Sequence, residues 1–195
     1  AFEACVKEAN VEAVMGAYNR VNGEPCCASK TLLQDILREQ WGFKGHVVSD
    51  CWAIRDFHTE HYVTSNHLES AALALKSGCD LNCGNTYLHV LQALQEGLVK
   101  KEDIWEAAVR LYTTRFKLGL FDEDCEFNKI PYEMNDCKAH NELSLKASRN
   151  SKVLLKNDGI LPLDKDKLKN IAVIGPTADS QEVLKGNYSG TASKY

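Results

Sequence analysis

No stretch of this 195-residue sequence approaches the run of about 20 apolar residues that a membrane-spanning helix needs. Nor is there a strong charge of one sign. The formal net charge is −4, which argues against nucleic acid or an anionic membrane as a partner. The phosphate-binding fingerprints are also missing. Gly175 follows an apolar run, but Gly175-Pro176-Thr177-Ala178-Asp179-Ser180 fits neither G-x-G-x-x-G nor G-x-x-x-x-G-K-[ST]. Cysteine is the exception to this sparseness. Eight are present (Cys5, Cys26, Cys27, Cys51, Cys79, Cys83, Cys125, Cys137), a rich and even count that is compatible with an oxidising compartment. Zinc is the rival use, through Cys79-x3-Cys83 with His58-x2-His61, yet neither pair has a companion at standard spacing. No metal and no cofactor are expected.

The most informative stretch runs from Trp41 to Asp50. Gly42 and Gly45 interrupt a helix, and His46-Val47-Val48 then make a short buried β-type run that stops at a carboxylate. In an α/β barrel the reactive side chains stand where strands end. An aspartate after a strand also serves as a helix cap or turn former, and the local pattern leaves both readings open. Two similar runs flank this one. Ala13 to Ala17 leads to Tyr18 and Asn19, and Cys79 to Cys83 lies between Gly78 and Gly84. Tyr18, Asp50 and Asn82 are evenly spaced (50 − 18 and 82 − 50 are both 32). That period is close to the ~31 residues of one strand–helix unit in a (β/α)8 barrel. The intervening segments read as helices. Leu32, Leu33, Ile36 and Leu37 line one face. Leu68, Ala71, Ala72 and Leu75 line another, behind an Asn66/Glu69 capping box. Phe2 to Asn10 reads as the end of a preceding helix.

Farther along, Leu88, Leu91, Leu94 and Leu98 share a helical face that breaks at Gly97. A second helix starts near Glu102 and Asp103 and carries Ile104, Ala107, Ala108, Leu111 and Phe116 to a stop at Gly119. Phe121 to Asn141 is polar and reads as a linker. A helix is expected over Glu142 to Lys156, a buried anchor at Ile160 to Leu163, and a strand at Ile171 to Gly175. Asn187-Tyr188-Ser189 is formally a glycosylation sequon.

Six blocks, in order, resemble glycoside hydrolase family 3: Val14 to Pro25, Gly42 to Ile54, Ser77 to Gly84, Arg110 to Phe121, Ser151 to Leu163 and Ile171 to Asp179. Cys51 directly after Asp50, in place of the tryptophan common among β-glucosidases, resembles the β-xylosidase branch, as do Asp80 to Gly84 and Gly186 to Gly190. The resemblance implies an α/β fold, namely the C-terminal part of a TIM (β/α)8 barrel followed by a linker and the start of an α/β sandwich domain. The expected boundaries are 1–120, 121–141 and 142–195, a fragment of a larger enzyme. The resemblance also implies that Asp50 is the nucleophile of a retaining exo-β-glycosidase, with Tyr18 beside it. The general acid/base is then a glutamate of the second domain, not in this chain. A retaining mechanism needs two carboxyl groups about 5–5.5 Å apart.

Cys51 and Cys83 stand at adjacent strand ends (83 − 51 is again 32). Strands lie about 4.8 Å apart and a disulfide spans Cα atoms at roughly 4.4–6.8 Å, so the two are expected to bridge across the rim of the sugar pocket. Two buried free cysteines acting as small apolar fillers remain the alternative. The substrate expected is a xylo- or gluco-oligosaccharide, with β-D-xylosidase favoured over β-glucosidase. Localisation is expected to be secreted or periplasmic, with the signal peptide upstream. The competing functions are a non-catalytic carbohydrate-binding barrel and a metal-dependent barrel hydrolase.

Overall fold

The computed structural model describes residues 1–185, so the sequon at Asn187 and the loop from Gly186 to Gly190 lie outside the described residues. The chain divides into two units, Ala1–Pro131 and Tyr132–Tyr195. In the first, helix α1 (Phe2–Lys7) precedes strand β1 (Ala13–Gly16), and a small antiparallel pair, β2 (Arg20–Val21) and β3 (Glu24–Pro25), follows. A helix over Thr31–Gln40 leads back to strand β4 (His46–Ser49), which pairs in parallel with β1. Parallel neighbours need such a crossover, and a helix is the usual one. This helix winds wider than an α-helix. It is a π-helix that closes with a bond from the Trp41 N–H to the Ile36 carbonyl at 2.9 Å. Leu33 and Leu37 still reach the core.

The run at Cys79 to Gly84 is less of a strand than expected. It makes one parallel bridge, Val48 to Leu81, and then turns away. The register is also not the one expected. Ala13 pairs with His46 and Val48 with Leu81, so the offset is 33 in both cases (46 − 13 and 81 − 48). One residue changes which side chains are neighbours. Asn82 therefore stands level with Ser49 rather than with Asp50.

Helix α2 (Asp56–Thr59) and helix α3 (His67–Ser77) follow β4. Asn66 caps α3 as expected, accepting from the N–H groups of Leu68 and Glu69 at 2.9 and 3.0 Å. The return bond differs in its target: Glu69 accepts from the Ser65 N–H at 2.7 Å. Gly78, at φ +99°, closes α3 in the left-handed conformation that glycine supplies without strain. Ala71, Ala72 and Leu75 are buried against α4 (Val90–Gln95) and α5 (Lys101–Lys117), together with Val90, Ala93 and Ala107. The leucine face expected here is only half right. Leu88 and Leu91 are exposed, while Val90 and Ala93 are buried. Thr86–His89 is a 3₁₀ turn, and its tighter winding rotates the following helix out of the expected phase.

A second cluster lies under the parallel strands: Leu33, Leu37, Phe43, Val47, Ile54, Phe57, Cys27 and Cys79 are all buried there. Gly16 faces Cys27 so closely that a Cβ on it would stand 2.5 Å from the sulfur. Glu12, just before β1, holds Lys117 of α5 at 2.9 Å and accepts from Thr114 at 3.1 Å. Thr114 also meets His46 Nδ1 at 2.9 Å.

In the second unit, helix α6 (Lys138–Asn150) starts inside the stretch expected as linker. Ile160 and Leu163, expected as a buried anchor, are exposed. Ile171 to Gly175 forms no strand, and Val173 and Ile174 are exposed. A strand exists only when a neighbour takes up its peptide groups, and none of the described residues does so here.

Candidate active site

Asp50 is the first residue beyond β4. Its N–H donates to the Gly16 carbonyl at 3.0 Å, extending the ladder by one bond, and its side chain is half-buried. The carboxylate accepts from the Cys51 N–H at 2.7 Å. Tyr18, the strand-end residue of β1, stands beside it. Its hydroxyl donates to the Cys51 carbonyl at 2.5 Å, so its bond reaches the residue next to Asp50. The Tyr18 carbonyl in turn accepts from His61 Nε2 at 2.8 Å, and Arg20 donates to the His61 carbonyl at 3.4 Å.

Cys51 and Cys83 form a disulfide with Cα atoms 4.4 Å apart. A second tie runs alongside it, from the Trp52 N–H to the Cys83 carbonyl at 2.7 Å. Cys83 is thus committed to the bridge and offers no thiolate for the metal set considered with Cys79. His58 is also occupied, its Nδ1 lying 2.9 Å from the Ser70 hydroxyl. Burial, with His67 and Arg55 nearby, holds its pKa below the ordinary value.

Two buried polar groups fix this geometry, and neither is signalled by spacing. The Ser49 hydroxyl accepts from the Asn82 amide at 3.2 Å and from the Cys83 N–H at 2.9 Å, which locks the 79–84 segment to the residue preceding Asp50. Asp80, almost fully enclosed, accepts from the Val47 N–H at 2.8 Å, from Arg38 at 2.7 Å and from Arg110 at 3.0 Å. The π-helix, β4 and α5 thereby meet on one carboxylate. Cys27 lies against the peptide group of Asp50, and Cys79 lies against Cys27. A hydrogen bond between the two thiols pulls Cys27 below its ordinary pKa and, with burial, pushes Cys79 well above it.

Trp52 is unusual in two respects. Its φ is +70°, rare for an aromatic residue, and its side chain is 42% exposed although Ala53, Ile54 and Phe57 beside it are buried. The Arg55 guanidinium lies over the indole, 5.1 Å from its centre.

The site residues expected from sequence, Asp50, Tyr18, Cys51 and Cys83, therefore converge at one end of the parallel strands. Comparison with known proteins identifies the family. Residues 1–115 match the model of the glycosyl hydrolase family 3 N-terminal domain, and residues 152–195 that of its C-terminal domain. A xylan 1,4-β-xylosidase of Xylanibacter ruminicola is 41% identical over 196 residues, covering 98% of this chain and 23% of that protein. A probable exo-1,4-β-xylosidase of Aspergillus clavatus is 43% identical over 196 residues, covering 97% and 25%. Among solved structures, an exo-β-xylosidase bound to a xylobiose aziridine probe aligns with a TM-score of 0.66 at 38% identity, over 98% of this chain and 25% of that one. A β-glucosidase of Erythrobacter marinus aligns with a TM-score of 0.67 at 34% identity, over 83% and 22%. The chain thus spans about a quarter of the length of these relatives. With both domain models matched in order, the chain belongs to glycosyl hydrolase family 3.

Proposed function

We propose that this chain is part of a retaining exo-β-glycosidase that removes single β-linked sugars from the non-reducing end of xylo- or gluco-oligosaccharides, with β-D-xylosides preferred. Asp50 attacks the anomeric carbon and forms a glycosyl ester; water then releases the sugar. The protonating partner is assigned to a glutamate outside this chain. Residues 1–120 are assigned to the last part of a (β/α)8 barrel, 121–141 to the linker and 142–195 to the opening of an α/β sandwich. The parallel pairing of β1 with β4, continued by the Val48–Leu81 bridge, supports that architecture.

The observation that carries the reading is the position of Asp50. It is a half-buried carboxylate at the end of a parallel strand, with Tyr18 and the Cys51–Cys83 bridge on either side. The bridge also supports secretion or a periplasmic location, since disulfides persist in oxidising compartments. Its bulk next to the nucleophile supports the pentose preference: a hexose carries a C6 hydroxymethyl group that must find room there.

The test is covalent labelling of the full-length enzyme with an activated 2-fluoro sugar. Fluorine destabilises the oxocarbenium-like transition state and slows ester hydrolysis, so the intermediate accumulates. Peptide mapping is expected to find the label on Asp50, and Asp50→Asn is expected to abolish turnover of an aryl β-xyloside. A label on any other residue refutes the assignment.

A further inference from the structure

The nucleophile reading leaves Trp52 without a role, yet the fold holds it under constraint. A left-handed backbone is free for glycine and unfavourable for an aromatic residue, so something must impose it. The imposing bonds are visible. Cys51 is bridged to Cys83, the Trp52 N–H is tied to the Cys83 carbonyl, and the Trp52 carbonyl accepts from the Asp56 N–H at 3.2 Å. Gly84, itself at φ +135°, lies against the indole, where a Cβ would make an ordinary contact of 3.4 Å with Trp52 Cε3. Burial compensates the strain only in part, because Trp52 remains exposed to solvent over a substantial part of its surface. Residues held in unfavourable conformations and still exposed mark functional sites.

From this placement we propose that Trp52, braced by Arg55, is the platform for the sugar on the leaving-group side of the scissile bond. The proposal rests on the reading of Asp50 as a glycosidase nucleophile and extends it to a specificity residue. The chemistry suits the ligand class. A β-linked xylopyranose carries its hydroxyls equatorially and presents axial C–H groups on each face, which pack on an aromatic plane. Aromatic walls with a few polar groups are the usual lining of small-ligand sites. The arginine over the indole restricts the ring, so little side-chain freedom remains to be lost when the sugar docks. One residue, Cys51, separates the platform from the carboxylate, which is short enough for adjacent sugar rings to meet both.

The experiment compares two substrates in the full-length enzyme: xylobiose, whose leaving group is a sugar, and β-xylosyl fluoride, whose leaving group is one atom. In Trp52→Gly, kcat/KM for xylobiose is expected to fall at least about 10-fold further than for the fluoride, chiefly through KM. Trp52→Phe is expected to recover most of that difference. Glycine removes the backbone strain, so the melting temperature of Trp52→Gly is expected to hold or rise, which a structural role for the indole would not allow. Equal losses on both substrates, no loss on xylobiose, or a lowered melting temperature overturns the platform while leaving the role of Asp50 intact. A wild-type enzyme that cleaves neither substrate overturns the glycosidase reading itself, and the platform with it.

Discussion

Asp80→Asn removes one charge and keeps the shape, which makes it a sharp probe of how the 79–84 segment is held. The carboxylate accepts from the Val47 N–H, Arg38 and Arg110, and its side chain is 1% exposed. An asparagine oxygen in the Oδ2 position still accepts from Val47 and Arg38, but the amide then faces Arg110 and the negative charge shared by both guanidinium groups is gone. Arg38, whose side chain is only 10% exposed and whose Nε has no partner among the described residues, then loses its ion-pair partner. Arg110 is better placed, with Glu106 at 3.1 Å and more solvent. Breaking a buried pair by removing one partner costs about 3–5 kcal/mol. Expressed as local opening, that is roughly two to almost four orders of magnitude in the exchange of amide hydrogens between Val47 and Leu81. Hydrogen-exchange mass spectrometry of peptides covering 46–52 and 79–84 in the full-length enzyme reads it directly. Adding Arg38→Met removes the stranded charge at similar volume and is expected to restore much of the protection. Exchange in Asp80→Asn within about tenfold of wild type refutes the reasoning.

Two further outcomes can be measured. Replacing Cys51 and Cys83 together by alanine is expected to move the kcat/KM ratio of aryl glucoside to aryl xyloside toward glucose by about 10-fold or more; an unchanged ratio in a folded variant removes the bridge from sugar selection. Glu12 is held below the ordinary glutamate pKa, first by its bond to Lys117 and then, against some desolvation, by Thr114. Its contribution to stability is therefore present above the unfolded value of about 4.3 and is lost as pH falls through the lower folded value. Both side chains are substantially exposed, so the effect is small. Glu12→Gln is expected to flatten the acid side of the melting-temperature profile, and an identical slope in the variant refutes this.

What is legible in the sequence is what short-range chemistry dictates. The glycines at 42 and 45, the apolar run and the terminal carboxylate suffice to find β4 and Asp50. An asparagine with a glutamate three residues on suffices to start α3. Equal spacing at neighbouring strand ends suggests the Cys51–Cys83 bridge while leaving two free thiols as the alternative, and the structure shows the bridge. Other features are set by contacts distant in sequence. The offset of 33 rather than 32 depends on how Leu81 meets Val48, and it determines that Asn82 serves Ser49. The three partners of Asp80 come from three separate elements, and no local pattern announces them. The left-handed Trp52 results from a bridge and a backbone bond on the facing segment. The Ile171–Gly175 run has the composition of a strand, but composition does not supply a neighbour.

The approach of Gly16 to Cys27 carries a consequence for divergence within the family. A methyl group at 16 would overlap the sulfur at 2.5 Å, so the two positions cannot drift independently. Alanine at 16 becomes tolerable only once residue 27 has shrunk, whereas a smaller residue at 27 is tolerated beside glycine at the cost of a void. Substitution therefore has a permitted order, with 27 changing before 16. Because the carbonyl of residue 16 accepts the Asp50 N–H and residue 27 lies against the same peptide group, lineages that took that route are expected to show paired changes there while the aspartate itself stays in place.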